Sequence, residues 1–546
     1  MRFAIQPRFA GLHALLAALL FFLPLAAWLA AEPPPPPAPK PRLVVVVVID
    51  MFPLDYFERF GSRFGPDGFK RLLRDGASFT SCFYPYANTE TGPGHATLST
   101  GTTPDRHGIA ANGWYDFARG RMVQAVEDES APLVGGPSRL AGASPRNLMT
   151  DTLADELRLA TGGEAKVFGV ALKDRSAIFS TGHTASGAYW YNASTGTFVT
   201  SRYYREALPA WVERFNRTRG ADSYYGKVWK SGEKVLATLA SESGQPDPRF
   251  RQELYYSPYG NDLAFDFARE LVVEEKLGAD AATDFLFLGL SANDGVGHRW
   301  GPYSEEVADM TRRTDAQLAA LLQFFDQRLG AGNYWLALSA DHGVAPALAQ
   351  ARARGLRATN VPLAALAQAL KAAFAERWGE DDWLASRSEV VFNRETLRKH
   401  GVGIAEAAHL AGGALLGVEG VRGYVAGEET RLDAGLTQAV RLSTYRGRSP
   451  DVYVVFEPFA LVNGDEGGTT HGSPYNYDTH VPLIFYGAAF RPGTYRERVT
   501  PADLAPTLAA ALGITPPALA DGRVLESALR PAAPAPRRAP REGKPR

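Results

Sequence analysis

The sequence predicts an α/β fold: a doubly wound, mostly parallel sheet covered by helices on both faces. Three observations carry that reading. Leu43-Val44-Val45-Val46-Val47-Val48-Ile49 is an unbroken apolar run of strand length, the pattern of a central strand buried on both faces. It runs directly into an acid, Asp50, and the same grammar recurs: residues 284–290 lead to Asp294, 334–340 to Asp341, and 166–172 to Lys173. Helical patterns alternate with these strands over residues 69–74, 150–160, 305–325 and 502–512.

Taken in order, the chain opens with Arg2 and Arg8 ahead of an apolar run from Leu12 to Leu29, closed by small residues before Glu32. Residues 1–31 therefore read as a secretory signal, which predicts a periplasmic or secreted protein with no stable membrane association after cleavage. Residues 32–42 form a Pro-rich linker, almost all proline from Pro33 to Pro41 and so a stiff spacer. The folded part is expected over 43–529, with two stretches that break the strand-to-acid grammar. Residues 180–279 are aromatic and rich in turns, and 345–459 are Ala-rich and helical before strand-like runs; both are read as insertions over the sheet. Residues 530–546 form a basic Pro/Ala/Arg tail expected to be disordered.

Composition excludes several functions. Of 546 residues, 58 are Lys or Arg and 59 Asp or Glu, so the whole chain offers no polycation for nucleic acid. One cysteine, Cys82, rules out a disulfide framework and a Cys-rich metal site.

The strand-end acids acquire meaning beside the histidines. In open α/β sheets the ligand crevice lies at the carboxyl ends of the strands. Asp294-Gly-Val-Gly-His298 sets an acid and an imidazole four positions apart in what reads as a Gly-rich turn. Asp341-His342-Gly343 follows a strand directly, and Thr470-His471-Gly472 adds another imidazole beside glycine. With Asp50 these make three acids and three histidines, the ligand types of Zn²⁺ and the right number for two ions. A nucleophile is at hand: Thr91-Gly92-Pro93-Gly94 opens a helix-compatible stretch, and a hydroxyl at a helix N-terminus faces N–H groups that favour anions.

On these residues the chain resembles the alkaline phosphatase superfamily, most closely the bacterial secreted phosphate-irrepressible alkaline phosphatases that use threonine as nucleophile. The resemblance covers about residues 43–178, 285–344 and 469–512. It implies that Thr91 is phosphorylated, that one Zn²⁺ is held by Asp50, Asp341, His342 and the Thr91 oxygen, and that a second is held by Asp294, His298 and His471, giving two Zn²⁺ per chain. It also implies a phosphate-contacting Asn112 and a Lys-x-Arg pair at Lys173 and Arg175. His471 is preferred over His480 for its His-Gly context.

Asn112, Lys173 and Arg175 point to the substrate class. A monoester dianion presents three non-bridging oxygens, and two cationic side chains, one a bidentate fork, complement the charge that metals leave over. A diester would ask for an apolar slot instead. The expected substrates are small-molecule phosphate monoesters; the alternative is a phosphodiesterase or nucleotide pyrophosphatase of the same superfamily. A sulfatase is disfavoured because Cys82-Phe83-Tyr84-Pro85 lacks the Cys/Ser-x-Pro-x-Arg context.

Overall fold

Apolar β-branched runs alternating with helices build a layered α/β molecule. The computed structural model describes residues 40–137, 140–386 and 389–530. The expected signal, almost all of the Pro-rich stretch and the tail beyond residue 530 lie outside the described residues.

Eleven strands make the main sheet: β1 (Leu43–Ile49), β2 (Ala77–Phe83), β3 (Glu127–Val134), β4 (Gly142–Ala143), β5 (Val167–Ala171), β6 (Gly187–Asn192), β7 (Thr197–Ser201), β8 (Asp284–Leu290), β9 (Tyr334–Ser339), β10 (His480–Tyr486) and β11 (Gly493–Tyr495). Their order is β11-β2-β10-β9-β1-β8-β5-β6-β7-β3-β4. The central run β9-β1-β8-β5-β6 is parallel throughout. Antiparallel pairs flank it, β10 with β9 and β2 on one side and β7 with β6 and β3 on the other. Every residue of β1 is buried, as a strand covered on both faces requires.

The main helices are α1 (Thr91–Thr100), α2 (Leu153–Ala160), α3 (Asp174–Thr181), α4 (Pro258–Glu274), α5 (Ala292–Trp300), α6 (Glu305–Leu329), α7 (Leu363–Trp378), α8 (Ile404–Leu415), α9 (Ala434–Ser443) and α10 (Leu504–Leu512). Val46, Val48, Phe285 and Phe287 on one sheet face meet Leu98 of α1, Leu153 of α2, Ser180 of α3 and Leu504 of α10. Gly169 lets α3 lie close on β5: a Cβ there would stand 2.7 Å from the Thr181 methyl and 2.8 Å from the Ala177 carbonyl. α4 packs on β5 and β8, and α6 against α4.

The first stretch read as an insertion contributes β6, β7 and α4 to this core, so its departure from the strand-to-acid grammar is not a departure from the sheet. Its aromatics are core residues: Phe267 of α4 lies 5.4 Å from the Tyr189 ring and 4.0 Å from Phe198. The second stretch carries α7, α8 and α9 with small sheets of its own, one of which sets Val421–Ala426 between Glu429–Thr430 and Tyr453–Phe456. It has a separate apolar cluster around Leu370, Phe374, Phe392, Leu415 and Tyr424.

Candidate active site

Because β9, β1, β8 and β5 are parallel neighbours in register, their carboxyl ends deliver Asp341 with His342, Asp50, Asp294 and Lys173 to one edge. Ile49 stands opposite Leu290 and Val48 opposite Ser339. Asp50, Asp294, Asp341 and His342 are all at most 3% exposed. Ionised groups this deep require partners or protons.

Asp294 and His298 lie on a helix, α5, not in the Gly-rich turn expected. One helical turn separates them, which places His298 Nε2 3.2 Å from Asp294 Oδ1. The two glycines serve close packing. A Cβ at Gly295 would meet the Tyr255 ring and carbonyl at 2.6 Å, and one at Gly297 would stand 2.2 Å from Met51 Sδ.

The histidines share one construction. Nδ1 of His298 lies 2.8 Å from the Thr469 carbonyl, that of His471 2.7 Å from the Thr89 carbonyl, and that of His342 2.9 Å from the Gly343 carbonyl. A carbonyl only accepts, so each Nδ1 donates and each Nε2 presents a lone pair inward. Those lone pairs face carboxylate oxygens: His471 Nε2 is 3.5 Å from Asp294 Oδ1, and His342 Nε2 is 3.4 Å from Asp50 Oδ1 and 3.6 Å from Asp341 Oδ2. Acceptor opposed to acceptor across such gaps calls for a cation between them. His480 is elsewhere, stacked on Phe83 with Nε2 on the Thr80 carbonyl.

Buried atoms without a hydrogen-bond partner converge on the same place: Asp50 Oδ1, Asp294 Oδ1, Asp341 Oδ2 and His342 Nε2, while Asp50 Oδ2 has only its ion pair with Lys173. Two sets bring one ligand atom from each residue within 4.8 Å of one another, Asp294 with His298 and His471, and Asp50 with Asp294 and His342. Asp294 belongs to both, and Asp341 adjoins the second through His342. This all-Asp/His donor set fits divalent ions such as Zn²⁺. The electrostatics agree. Burial, with Asp341 alongside, pushes the Asp50 carboxyl well above its ordinary range, and burial raises Asp341 to about 6. At Asp294 burial is outweighed by His298 in its protonated form, the proton standing where a metal cation would otherwise sit, and by Lys173, and that carboxyl is held well below its ordinary range.

Thr91 is the first residue of α1 and is 1% exposed. Lys173 Nζ donates to its Oγ1 at 2.9 Å, and the same ammonium lies 2.7 Å from Asp50 Oδ2 and 2.8 Å from Asp294 Oδ2. Gly94 is dictated by contact: a Cβ there would fall 2.3 Å from the Asp341 carbonyl, so α1 could not approach the end of β9. The Asn112 side-chain oxygen accepts from the Gly92 N–H at 2.8 Å, and the Asn112 backbone N–H donates to Glu90 Oε2 at 2.7 Å. Arg175, beside Lys173 at the start of α3, has a buried Nε without a partner. It lines, with Lys173, Trp190, Gln252 and Tyr255, a cavity of about 830 Å³.

Three further residues join the site. Tyr255 donates its hydroxyl to Asp294 Oδ2 at 2.5 Å. His95 Nδ1 is 2.9 Å from the Thr91 carbonyl and 3.3 Å from Asp341 Oδ2. Glu90 caps α1 and holds Asn112. His95 could have been singled out from its place one turn after Thr91; nothing in the sequence marks Tyr255 among its 22 tyrosines.

Residues 44–474 match the family described as type I phosphodiesterase / nucleotide pyrophosphatase. The chain belongs to that family, within the alkaline phosphatase superfamily. It is 33% identical over 511 residues to alkaline phosphatase PhoV of Synechococcus elongatus, covering 88% of this chain and 92% of PhoV. To alkaline phosphatase PafA of Elizabethkingia meningoseptica it is 32% identical over 511 residues, covering 88% and 93%. A protein of Myroides odoratus that carries the name calcium-transporting ATPase is 34% identical over 498 residues, covering 86% and 91%. Among the described residues here no helix is long and apolar enough to cross a membrane. The crystal structure of wild-type PafA superposes with a TM-score of 0.83 at 31% identity, covering 90% of this chain and 99% of that one. A PafA variant with one Thr, one Asn, one Lys and one Arg substituted gives 0.82 at 30%. Those four residue types, in that order and ending in Lys-x-Arg, stand here as Thr91, Asn112, Lys173 and Arg175.

Proposed function

We propose that this enzyme, an alkaline phosphatase, hydrolyses phosphate monoesters through a phosphorylated Thr91. The observation that carries the reading is the 2.9 Å contact of Thr91 Oγ1 with Lys173 Nζ inside a ring of buried carboxylates and inward-facing imidazoles. Thr91 Oγ attacks phosphorus, the bond to the ester oxygen breaks, and the alcohol leaves with a proton. Water then attacks the phosphothreonine, releasing phosphate and restoring the hydroxyl. Lys173 stabilises the Thr91 oxygen as its proton leaves, and Lys173, Arg175 and Asn112 take the non-bridging oxygens. Preorganised charge of this kind carries most of the catalysis in phosphoryl transfer. Asp50, Asp341 and His342, with Thr91, would hold one Zn²⁺, and Asp294, His298 and His471 the other. Bound there, such ions supply positive charge that lowers the pKa of a hydroxyl and polarises the phosphoryl oxygens.

The leader pattern supports export to the periplasm or medium. The family's name keeps diester cleavage as the second reading; the Lys-x-Arg pair favours monoesters. A chromogenic monoester, a diester and a sulfate ester assayed side by side with added zinc separate the two. Thr91→Ala should lose monoesterase activity by about two to three orders of magnitude or more while still binding zinc. Wild-type turnover in that variant sinks the assignment. Lys173→Ala with Arg175→Ala should lower monoester hydrolysis far more than diester hydrolysis; equal losses contradict the charge argument.

A further inference from the structure

Two cavities adjoin where His471 and Glu90 border the site, and Arg175 lines neither. One, of about 390 Å³, opens against Asn88, Glu90, His471 and Gly472 and is walled by the strand Tyr453–Phe456. The other, of about 310 Å³, lies within the 345–459 region. Both have Glu389, Pro450, Tyr453, Val454, Phe456 and Val462 in their walls. The rest of the inner cavity is almost entirely aliphatic, including Leu363, Leu366, Leu370, Leu384 and Leu415; among the described residues no lysine, arginine or histidine lines it, and Glu389 is its one carboxyl.

Charge decides what can lie there. The outer cavity holds Glu90, Glu389, Glu457 and Asp478 against one arginine, Arg448. That guanidinium is engaged, donating to the Gly108 and Asn147 carbonyls at 2.8 and 2.5 Å. A leaving group bearing its own phosphates would meet these carboxyls. An uncharged chain would not, and it would gain by leaving water for the aliphatic cavity beyond. Lys173 and Arg175, which take the phosphoryl oxygens, line a separate cavity of about 830 Å³ that shares no wall residue with either of these. The ester's alcohol half is thereby directed towards His471 and the apolar space.

We propose that this paired cavity is the leaving-group site and that it selects phosphate monoesters of long-chain apolar alcohols over nucleoside polyphosphates. The proposal rests on the phosphomonoesterase reading above. Its test uses the metal-loaded enzyme with n-alkyl phosphates from ethyl to decyl. kcat/KM should climb by up to about fourfold per methylene, the equivalent of burying one CH₂, and then level off as the cavity fills. ATP should fall below ethyl phosphate. In Leu363→Trp and in Leu384→Trp, which fill the inner cavity from two different elements, the ratio of octyl to ethyl turnover should collapse. A flat series, or a chain-length gain unaltered in both tryptophan variants, overturns the proposal while leaving the phosphatase reading intact. Absence of turnover on every ester in the series sinks both.

Discussion

His95 Nδ1 donates to the Thr91 carbonyl and lies 3.3 Å from Asp341 Oδ2, so one buried imidazole is packed between the nucleophile's helix and a strand-end carboxylate. Burial lowers its pKa to about 4, which keeps the ring neutral and its Nδ1 proton in place at working pH. An asparagine amide can supply a donor near Nδ1, whereas leucine supplies none. His95→Leu should weaken zinc affinity about 10- to 100-fold in competition with a chelator, as loss of an orienting partner does elsewhere. His95→Asn should recover most of it. Equal affinities in all three proteins would show that Asp341 needs no such neighbour.

The Tyr255 hydroxyl is the neutral donor to Asp294, the carboxylate common to both ligand sets. Tyr255→Phe should therefore lower the affinity for the ion held by Asp294, His298 and His471 by about tenfold, and leave the other ion less affected. Calorimetric titration of the metal-free protein checks this. Unchanged affinity for that ion would show that Tyr255 does not orient Asp294.

Without metal, Lys173 is the cation that balances Asp50 and Asp294. Its removal strands two buried carboxylates, and breaking a buried ion pair costs about 3–5 kcal/mol. Lys173→Met should accordingly unfold earlier in chelator-treated protein, and added Zn²⁺ should restore most of the difference, because the ions supply positive charge to the same oxygens. Denaturant melts with and without zinc measure it; a variant as stable as the parent in chelator contradicts the assignment.

Glu389 stands in the wall between the two cavities, where burial and then Glu90 push its carboxyl up to about 7. The folded form keeps the proton to a higher pH than the unfolded chain does. The neutral carboxyl's contribution is therefore complete below about pH 4.5 and is lost as pH rises through 7. Glu389→Gln should match the parent near pH 4.5 and exceed it at pH 8, by on the order of 2–3 kcal/mol. Thermal melts of both proteins at the two pH values test it; a difference independent of pH refutes the charge origin.

Much of this architecture can be read in the sequence where a local rule and the fold agree. An unbroken Val run before Asp50, and similar runs before Asp341 and Lys173, mark parallel strands because both faces are buried and the ligand edge is polar. The rule failed where the cause was remote. Glycines at 295 and 297 suggested a turn, since nothing local reveals that Tyr255 and Met51 will press on a helix there. The Tyr189–Tyr191 stretch suggested an insertion over the sheet, because aromatic density alone does not distinguish a covering layer from a strand packed under Phe267. Tyr255 itself becomes visible only when α5 folds beneath it.

The Met51 N–H donates to Asp341 Oδ1 across 290 residues of sequence. That bond has a bearing on biogenesis. A chain emerging from synthesis with its first strand complete possesses no metal site, because the residues that would share an ion with Asp50 arrive only with β8 and β9, and His471 later still. The ions therefore cannot nucleate folding; they can only report that it has finished. Contacts of such long range are formed slowly, after costly loop closure. A truncated or stalled chain would bind zinc weakly, and high-affinity binding would serve as a check on completeness.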